Sequence, residues 1–185
     1  RDRGFASCFV FGNLPYYITS PILRHLFGFR SVISAMAVMV QLEVAARLIA
    51  HPGTRDYGYL SVLTQLYSRP HIAMKVPAGA FSPPPKVDSA LVTLEMTRTT
   101  STASSPAESG HYPDLHAEAE AGFLEFAKTC FAQKRKSVRN NLNRHFSAME
   151  IERALQTMAL EPRTRAEEMS IGQLLSLYRL LSRTK

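Results

Sequence analysis

The residues best suited to chemistry lie near the start of the chain, at positions 12–17, in the sequence GNLPYY. An aromatic amine such as the exocyclic nitrogen of adenine is a poor nucleophile, because its lone pair is delocalised into the ring. The side-chain oxygen of Asn13 and a backbone carbonyl of Leu14 or Pro15 would accept the two amine protons and direct the lone pair toward an electrophile. The ring of Tyr16 would stack on the base, a contact worth roughly 1–3 kcal/mol. Such an arrangement suits methyl transfer to a flipped base, although a proline turn that merely ends a strand has the same sequence.

The elements around this turn are predicted to be a strand and a helix. Residues 8–11 are apolar and β-branched or aromatic, which is typical of a short buried strand. Pro15 cannot continue that strand, because it has no backbone N–H. Ser20 and Pro21 are a typical N-cap and first-turn proline for an amphipathic helix that extends to position 27. Ligands of open α/β sheets bind at the C-terminal ends of strands, which favours a binding site at this turn.

The segments that follow repeat the alternation of strand and helix. A continuous apolar run at 34–40 predicts a strand covered on both faces. Further apolar patterns predict helices at 41–50 and 60–67 and two strands, at 71–76 and 87–96, that form a hairpin. The sequence therefore predicts an α/β domain over residues 1–96.

The second half of the chain has a different composition. Residues 97–113 are rich in Ser, Thr, Pro and Gly, which predicts a linker, assigned here to 97–115. Apolar residues recur at helical spacing through 116–146, as one helix or as two with a break near Lys136. Helices are also predicted at 148–160 and 171–181, the latter opened by a capping box of Ser170 and Gln173. Residues 116–185 are therefore predicted to form a small helical domain.

The charge of the chain favours an anionic partner. Its formal net charge is +7 and its pI is near 9.7, whereas 45% hydrophobic and 20% charged residues are ordinary for a globular protein. No acidic residue occurs between Lys128 and Arg144. The basic residues of this stretch are Lys128, Lys134, Arg135, Lys136, Arg139 and Arg144. A face without acidic residues resembles a surface that follows phosphates, although such faces are often only solvated.

Several classes of protein do not fit the sequence. Cys8 and Cys130 lack the spacing of metal ligands or of a disulfide framework, so buried, reduced thiols and no metal site are expected. No apolar run reaches the length of a membrane span, and the first residues lack the apolar core of a secretory signal. The sequence therefore predicts a cytoplasmic protein that does not associate with membranes.

Three blocks of the sequence resemble one known family. Residues 12–22 are similar to the signature turn of the ribosomal RNA adenine dimethyltransferases, residues 76–90 to that family's second hallmark, and residues 131–142 to the basic helix of its C-terminal domain. The resemblance implies the C-terminal part of a Rossmann-like class I methyltransferase domain. In this fold a parallel sheet with a terminal antiparallel hairpin is followed by a small all-α domain.

The resemblance also implies an activity. Members of the family use S-adenosyl-L-methionine to place two methyl groups on the N6 atom of adenosines in ribosomal RNA. Leu14, Pro84 and Asp88 resemble the branch that acts on the small-subunit RNA and contributes to ribosome biogenesis, rather than the macrolide-resistance branch that acts on the large subunit. The implied partner is the RNA of an immature small subunit, and a monomer is expected.

The family's site residues transfer to matching positions. Asn13, Leu14, Pro15 and Tyr16 would be catalytic, Asn13 would also contact the cofactor, and Tyr16 and Phe81 would stack on opposite faces of the adenine. A phenylalanine that only fills the core beside the prolines at 83–85 is the alternative for Phe81. Residues of the third block would bind RNA, namely Lys134, Arg135, Lys136 and Arg139.

The family's cofactor half has a glycine-rich loop that this sequence does not match. No Gly-x-Gly pattern occurs in the 185 residues, and the expectation is a piece of a larger enzyme. Three further hypotheses remain open at this point. The first is a ribosome-assembly factor that binds RNA and does not methylate it, and the second is an adenine methyltransferase of the macrolide-resistance branch that acts on large-subunit RNA. The third is a methyltransferase that acts on DNA or free nucleosides.

Overall fold

The computed structural model describes residues 7–97 and 117–182. By their contacts, residues 7–49 and 63–97 form one compact unit, and residues 50–62 and 117–182 form a second. The assignment of 50–62 to the second unit was not indicated by composition. The predicted linker at 97–115 lies outside the described residues except for Thr97, and the predicted domain boundaries stay a prediction.

The first unit is built on a four-stranded mixed sheet. Its strands are β1 (Cys8–Asn13), β2 (Ile33–Gln41), β3 (Ser68–Val76) and β4 (Ser89–Met96), in the spatial order β1-β2-β4-β3. β1 and β2 are parallel, whereas β4 is antiparallel to both β2 and β3. The predicted combination of parallel strands with a terminal antiparallel hairpin is therefore confirmed.

The register of the sheet brings distant segments to one end. Asn13, the last residue of β1, pairs with Met39 near the end of β2. Ser89, the first residue of β4, pairs with Gln41 on one side and with Val76, the last residue of β3, on the other. The turn that follows β1 and the loop that joins β3 to β4 therefore leave the sheet at the same end.

The edge strand β1 is more exposed than its sequence predicts. Phe9 is 59% exposed and Phe11 is 74% exposed, so the prediction of a buried strand is wrong. The physical reason is that β1 pairs with β2 on one side only among the described strands. By contrast, Met36, Val38 and Val40 of β2 are fully buried, as the continuous apolar run of that strand predicts.

α1 (Thr19–Phe27) and α2 (Leu42–Ile49) belong to the first unit, and α3 (Tyr59–Tyr67) contributes its residues 63–67 to that unit. α1 follows directly on a short 3-10 turn, Tyr16–Ile18, so its N-cap is Ile18 and not the predicted Ser20. Phe27 of α1 is 1% exposed, and its ring lies 5.1 Å from that of Tyr67 in α3. This contact joins two of the helices in the core of the unit.

The second unit contains four helices: α4 (Ala117–Cys130), α5 (Val138–Leu142), α6 (Ala148–Thr157) and α7 (Ile171–Ser182). The break between α4 and α5 spans 131–137, in agreement with the predicted break near Lys136. The predicted capping box of α7 is present. The backbone N–H of Gln173 donates to Ser170 Oγ at 3.2 Å, and the backbone N–H of Ser170 donates to Gln173 Oε1 at 2.9 Å. A similar box of Ser147 and Glu150 opens α6. Fully buried side chains of these helices include Phe123, Leu142, Ile151 and Leu155.

The two cysteines differ in their surroundings. Cys130 is buried, as predicted, and desolvation raises the pKa of its thiol well above the ordinary value. Cys8 is exposed on β1, so the prediction that it is buried is wrong for the same reason as for Phe9. Within residues 7–97 and 117–182, no helix is both long and apolar enough to cross a bilayer.

Candidate active site

The turn after β1 is anchored to the sheet through Leu14. Its amide donates to the carbonyl of Met39 at 3.0 Å, which extends the pairing of β1 and β2 by one residue, and its side chain is 8% exposed. Pro15 then has extended dihedral angles, φ −60° and ψ 128°, and leads into the 3-10 turn. The Leu14 amide therefore anchors the turn to the end of the sheet.

The carbonyl groups of the turn differ in their availability. The Pro15 carbonyl accepts the Ile18 amide and the Thr19 hydroxyl, each at 3.2 Å, so both of its lone pairs are engaged. Within the described part of the chain, the Leu14 carbonyl and the exposed Asn13 side chain accept no hydrogen bond. The sequence left Leu14 and Pro15 as alternative acceptors, and of the two carbonyls only that of Leu14 lacks a hydrogen-bond partner among the described residues.

Tyr16 is connected to a residue that sequence reasoning did not single out. Its hydroxyl lies 2.9 Å from Ser89 Oγ, and Ser89 is fully buried at the start of β4. Tyr16 itself is half-buried, whereas its neighbour Tyr17 is 86% exposed. The two hallmark segments of the first unit are therefore in direct contact through a pair of hydroxyl groups.

Phe81 ends a short turn that is also held by Asp88, the residue before β4. The Phe81 amide donates to the Ala78 carbonyl at 3.2 Å, closing a 3-10 turn at 78–80. The Ala78 amide in turn donates to Asp88 Oδ1 at 2.9 Å. Phe81 is half-buried. Among the described residues, Phe81 and Tyr16 make no ring contact with each other.

The basic residues of the second unit are not all on a helix. Lys134, Arg135 and Lys136 lie on the turn segment between α4 and α5, and only Arg139 lies in α5. The prediction that the basic residues lie on a helix is therefore wrong for Lys134, Arg135 and Lys136. Asn141 holds this segment, because its side-chain nitrogen donates to the carbonyls of Cys130 at 2.7 Å and Gln133 at 3.2 Å.

Two of the basic side chains have acidic partners, contrary to expectation. Lys134 Nζ lies 3.8 Å from Glu167 Oε2 and also donates to the Arg55 carbonyl, and Arg139 lies 2.8 Å from Glu152 Oε1. These carboxylates are remote in sequence, which is why a count of local charges missed them. Arg135 and Lys136 are exposed and have no ion pair within the described ranges 7–97 and 117–182. In the same ranges, no group of three or more His, Cys, Asp or Glu residues is arranged to hold a metal ion.

Comparisons with known proteins identify relatives along nearly the whole chain. A family model described as Ribosomal RNA adenine dimethylase matches residues 6–183. Ribosomal RNA small subunit methyltransferase A of Acidobacterium capsulatum is 43% identical over 173 residues, which cover 93% of this chain and 56% of the relative. The protein of the same name from Salmonella typhimurium is 38% identical over 175 residues, which cover 94% of this chain and 57% of the relative. The chain thus spans little more than half the length of these relatives.

Solved structures share the fold. A dimethyladenosine transferase from Plasmodium falciparum superposes with a TM-score of 0.72 at 22% identity, covering 91% of this chain and 64% of the other. The 23S rRNA methyltransferase ErmE superposes with a TM-score of 0.60 at 25% identity, covering 94% of this chain and 65% of the other. The predicted class I methyltransferase fold is thereby confirmed. On the match of the family model and the identity to curated relatives, this chain belongs to the ribosomal RNA adenine dimethylase family.

Proposed function

We propose that this chain supplies the adenine-binding side of an enzyme that dimethylates adenosine N6 in small-subunit ribosomal RNA with S-adenosyl-L-methionine. Its membership of the family and its similarity to small-subunit methyltransferases support the reaction and the substrate. The implied partner is the RNA of an immature small subunit, with the chain acting as a monomer in the cytoplasm. The chain spans 56% of the length of its relative from Acidobacterium, and the activity that we propose is that of an enzyme that contains this chain.

The observation that carries the proposal is the pair of free acceptors at the end of β1. Asn13 Oδ1 and the Leu14 carbonyl have no partner among the described residues, and both lie where ligands of α/β sheets bind. Each would accept one proton of the adenine amine, which holds the nitrogen and directs its lone pair toward the methyl donor. Pro15 contributes indirectly, since its fixed ring ends the strand and its carbonyl closes the 3-10 turn.

Two aromatic residues would hold the base between them. Tyr16 and Phe81 are both half-buried and make no ring contact with each other among the described residues, and we assign each of them to one face of a flipped adenine. S-adenosyl-L-methionine, for which Asn13 is the contact residue that we assign in this chain, supplies the methyl group when bound. No general base is required, because the amine becomes acidic only on methylation and its proton can then pass to water.

The basic turn would bind the phosphates of the RNA. Lys134, Arg135, Lys136 and Arg139 are proposed as contacts, and their charges fit a partner with a dense negative backbone. Arg135 and Lys136 are the best placed of the four, since they are exposed and carry no ion pair among the described residues. Phosphate contacts of this kind fix position and orientation and do not read sequence.

The test is replacement of Asn13 by alanine in the product of the complete reading frame that encodes this chain. We expect Asn13→Ala to lower kcat for methyl transfer to small-subunit RNA by at least about a hundredfold, as for the loss of one preorganised polar contact at a reacting centre. RNA affinity and circular dichroism should not change. Gln156→Ala is the matched control, because it removes an exposed amide from α6 and should leave kcat unchanged.

The outcomes separate the proposal from its rivals. A near-normal kcat for Asn13→Ala contradicts the assigned site. A wild-type protein that binds small-subunit RNA and transfers no methyl group supports a ribosome-assembly factor. Equal transfer to DNA or free adenosine supports a methyltransferase with a different substrate.

A further inference from the structure

We propose that Asp88 and Ser89 form a brace that sets the positions of both base-stacking residues, Tyr16 and Phe81. The inference rests on the proposed function, because it assigns a positioning role in that reaction to two residues that do not contact the base themselves. Asp88 and Ser89 lie in the segment 76–90, for which the sequence indicated only a resemblance to a block of the family. The proposal gives these two residues a physical role.

The first arm of the brace is the hydroxyl of Ser89. Ser89 is fully buried and is flanked on both sides by paired strand residues, Gln41 of β2 and Val76 of β3, so its Oγ has little freedom to move. Tyr16, 73 positions earlier, lies on a short 3-10 turn and is half-buried. The 2.9 Å contact between the two hydroxyl groups fixes the outer end of the Tyr16 ring. This contact restricts the plane of the Tyr16 ring, whereas the 3-10 turn holds only the backbone of Tyr16.

The second arm is the carboxylate of Asp88. Its Oδ1 accepts the amide of Ala78 at 2.9 Å, and the Ala78 carbonyl accepts the amide of Phe81 at 3.2 Å. The Asp88 carbonyl also accepts the amide of Leu42, the first residue of α2, at 2.9 Å. Asp88 is therefore held to the core of the unit at its backbone and holds the Phe81 turn with its side chain.

The two arms act together because they come from consecutive residues. β4 lies between β2 and β3, so its first residue, Ser89, belongs to the interior of the sheet, and Asp88 directly precedes this residue. Tyr16 precedes Ser89 by 73 positions, whereas Ala78 precedes Asp88 by 10. Among the described residues, no ring contact joins Tyr16 to Phe81. The positions of Tyr16 and of the Phe81 turn therefore both depend on contacts with two consecutive residues, Ser89 and Asp88.

The first experiment is a double-mutant cycle on methyl transfer with the product of the complete reading frame. Ser89→Ala and Tyr16→Phe each remove one hydroxyl of the same hydrogen bond, and each should lower kcat roughly fivefold to tenfold, the effect of one hydrogen bond. The double variant should lose no more than either single variant, because the bond is already broken. KM for RNA should change less than twofold, since phosphate contacts dominate RNA affinity.

Two further variants distinguish positioning from a general loss of stability. Ser68→Ala is the matched control, because Ser68 is 2% exposed and its hydroxyl donates to the Thr64 carbonyl at 2.9 Å, yet it pairs with Met96 at the opposite end of the sheet. It should leave kcat unchanged. Asp88→Asn keeps an acceptor oxygen for the Ala78 amide and should retain most of kcat, whereas Asp88→Ala should lower kcat and expose the Ala78 amide to hydrogen exchange.

The results that overturn the brace are distinct from those that overturn the function. If Ser89→Ala matches Ser68→Ala, or if the losses from Ser89→Ala and Tyr16→Phe are additive, Ser89 does not position Tyr16. If Asp88→Ala retains wild-type kcat and protection of the Ala78 amide, the second arm is wrong. Tyr16→Phe tests the same bond from a half-buried site should Ser89→Ala fail to fold. A wild-type enzyme that methylates no adenosine overturns the proposed function, and the brace with it.

Discussion

Gly122 should be a position where alanine, the best helix former, destabilises a helix. Gly122 lies inside α4, where glycine costs about 1 kcal/mol relative to alanine. A Cβ at this position would overlap the hydroxyl oxygen of Tyr178 and lie 3.3 Å from its Cζ. The Tyr178 ring cannot simply turn aside, because it lies 5.9 Å from the ring of Phe123 and 5.4 Å from that of Phe126.

The sign of the effect follows from two opposing terms. Gly122→Ala gains about 1 kcal/mol of helix propensity, whereas overpacking a well-packed contact costs about 1–3 kcal/mol. We therefore expect a net loss of about 1 kcal/mol in the free energy of unfolding of the second unit. In a Tyr178→Phe background the overlapping oxygen is gone, and the same substitution should stabilise by about 0.5–1 kcal/mol. The sign should thus reverse between the two backgrounds.

Native-state hydrogen exchange of amides in α4 and α7 measures this effect for the second unit by itself, which matters in a chain of two compact units. The matched control is Ala121→Gly at the exposed neighbouring position, which should cost about 1 kcal/mol in both backgrounds, as propensity alone requires. Stabilisation by Gly122→Ala in the presence of Tyr178, or the same sign in both backgrounds, refutes the reasoning.

Two further predictions concern charge and thiol reactivity. Replacing Arg135 and Lys136 together by glutamine should weaken RNA binding and lower the slope of log affinity against log salt by about 0.7–0.9 per residue. Lys134→Gln should have a smaller effect on affinity, because Lys134 already pairs with a carboxylate, and a fluorescence titration at several salt concentrations compares the variants. Ellman's reagent should label one thiol of the native chain, the exposed Cys8, and label Cys130 only after unfolding, since burial raises the pKa of that thiol and lowers its thiolate fraction. Rapid labelling of both thiols, or an equal loss of RNA affinity for all lysine and arginine variants, contradicts these predictions.

Local patterns predicted most of the secondary structure. The apolar run at 34–40 is β2, the alternating residues at 87–96 contain β4, and Ser170 with Gln173 caps α7 as expected. These features depend on contacts within a few residues, which a sequence displays directly. The start of α1 was misjudged because the preceding 3-10 turn carries the chain into the helix before Ser20 is reached.

The candidate site was identified by its residue types, but its connections were not. Asn13, Leu14 and Tyr16 were recognised from the chemistry of an amide, a carbonyl and a ring beside a proline. That the Leu14 carbonyl stays free while that of Pro15 is engaged depends on how the 3-10 turn closes, which composition cannot indicate.

By itself, the sequence determined the order of strands and helices, the turn at Pro15 and the types of side chain at the site. Only the tertiary structure decided which of these side chains meet, as with the hydroxyls of Tyr16 and Ser89 or the pairing of Arg139 with Glu152. It also decided that Phe9 and Phe11 are exposed on β1, which pairs on one side only among the described strands. The reason is that periodicity reports one residue's relation to its near neighbours, whereas strand order and register bring together residues separated by many positions.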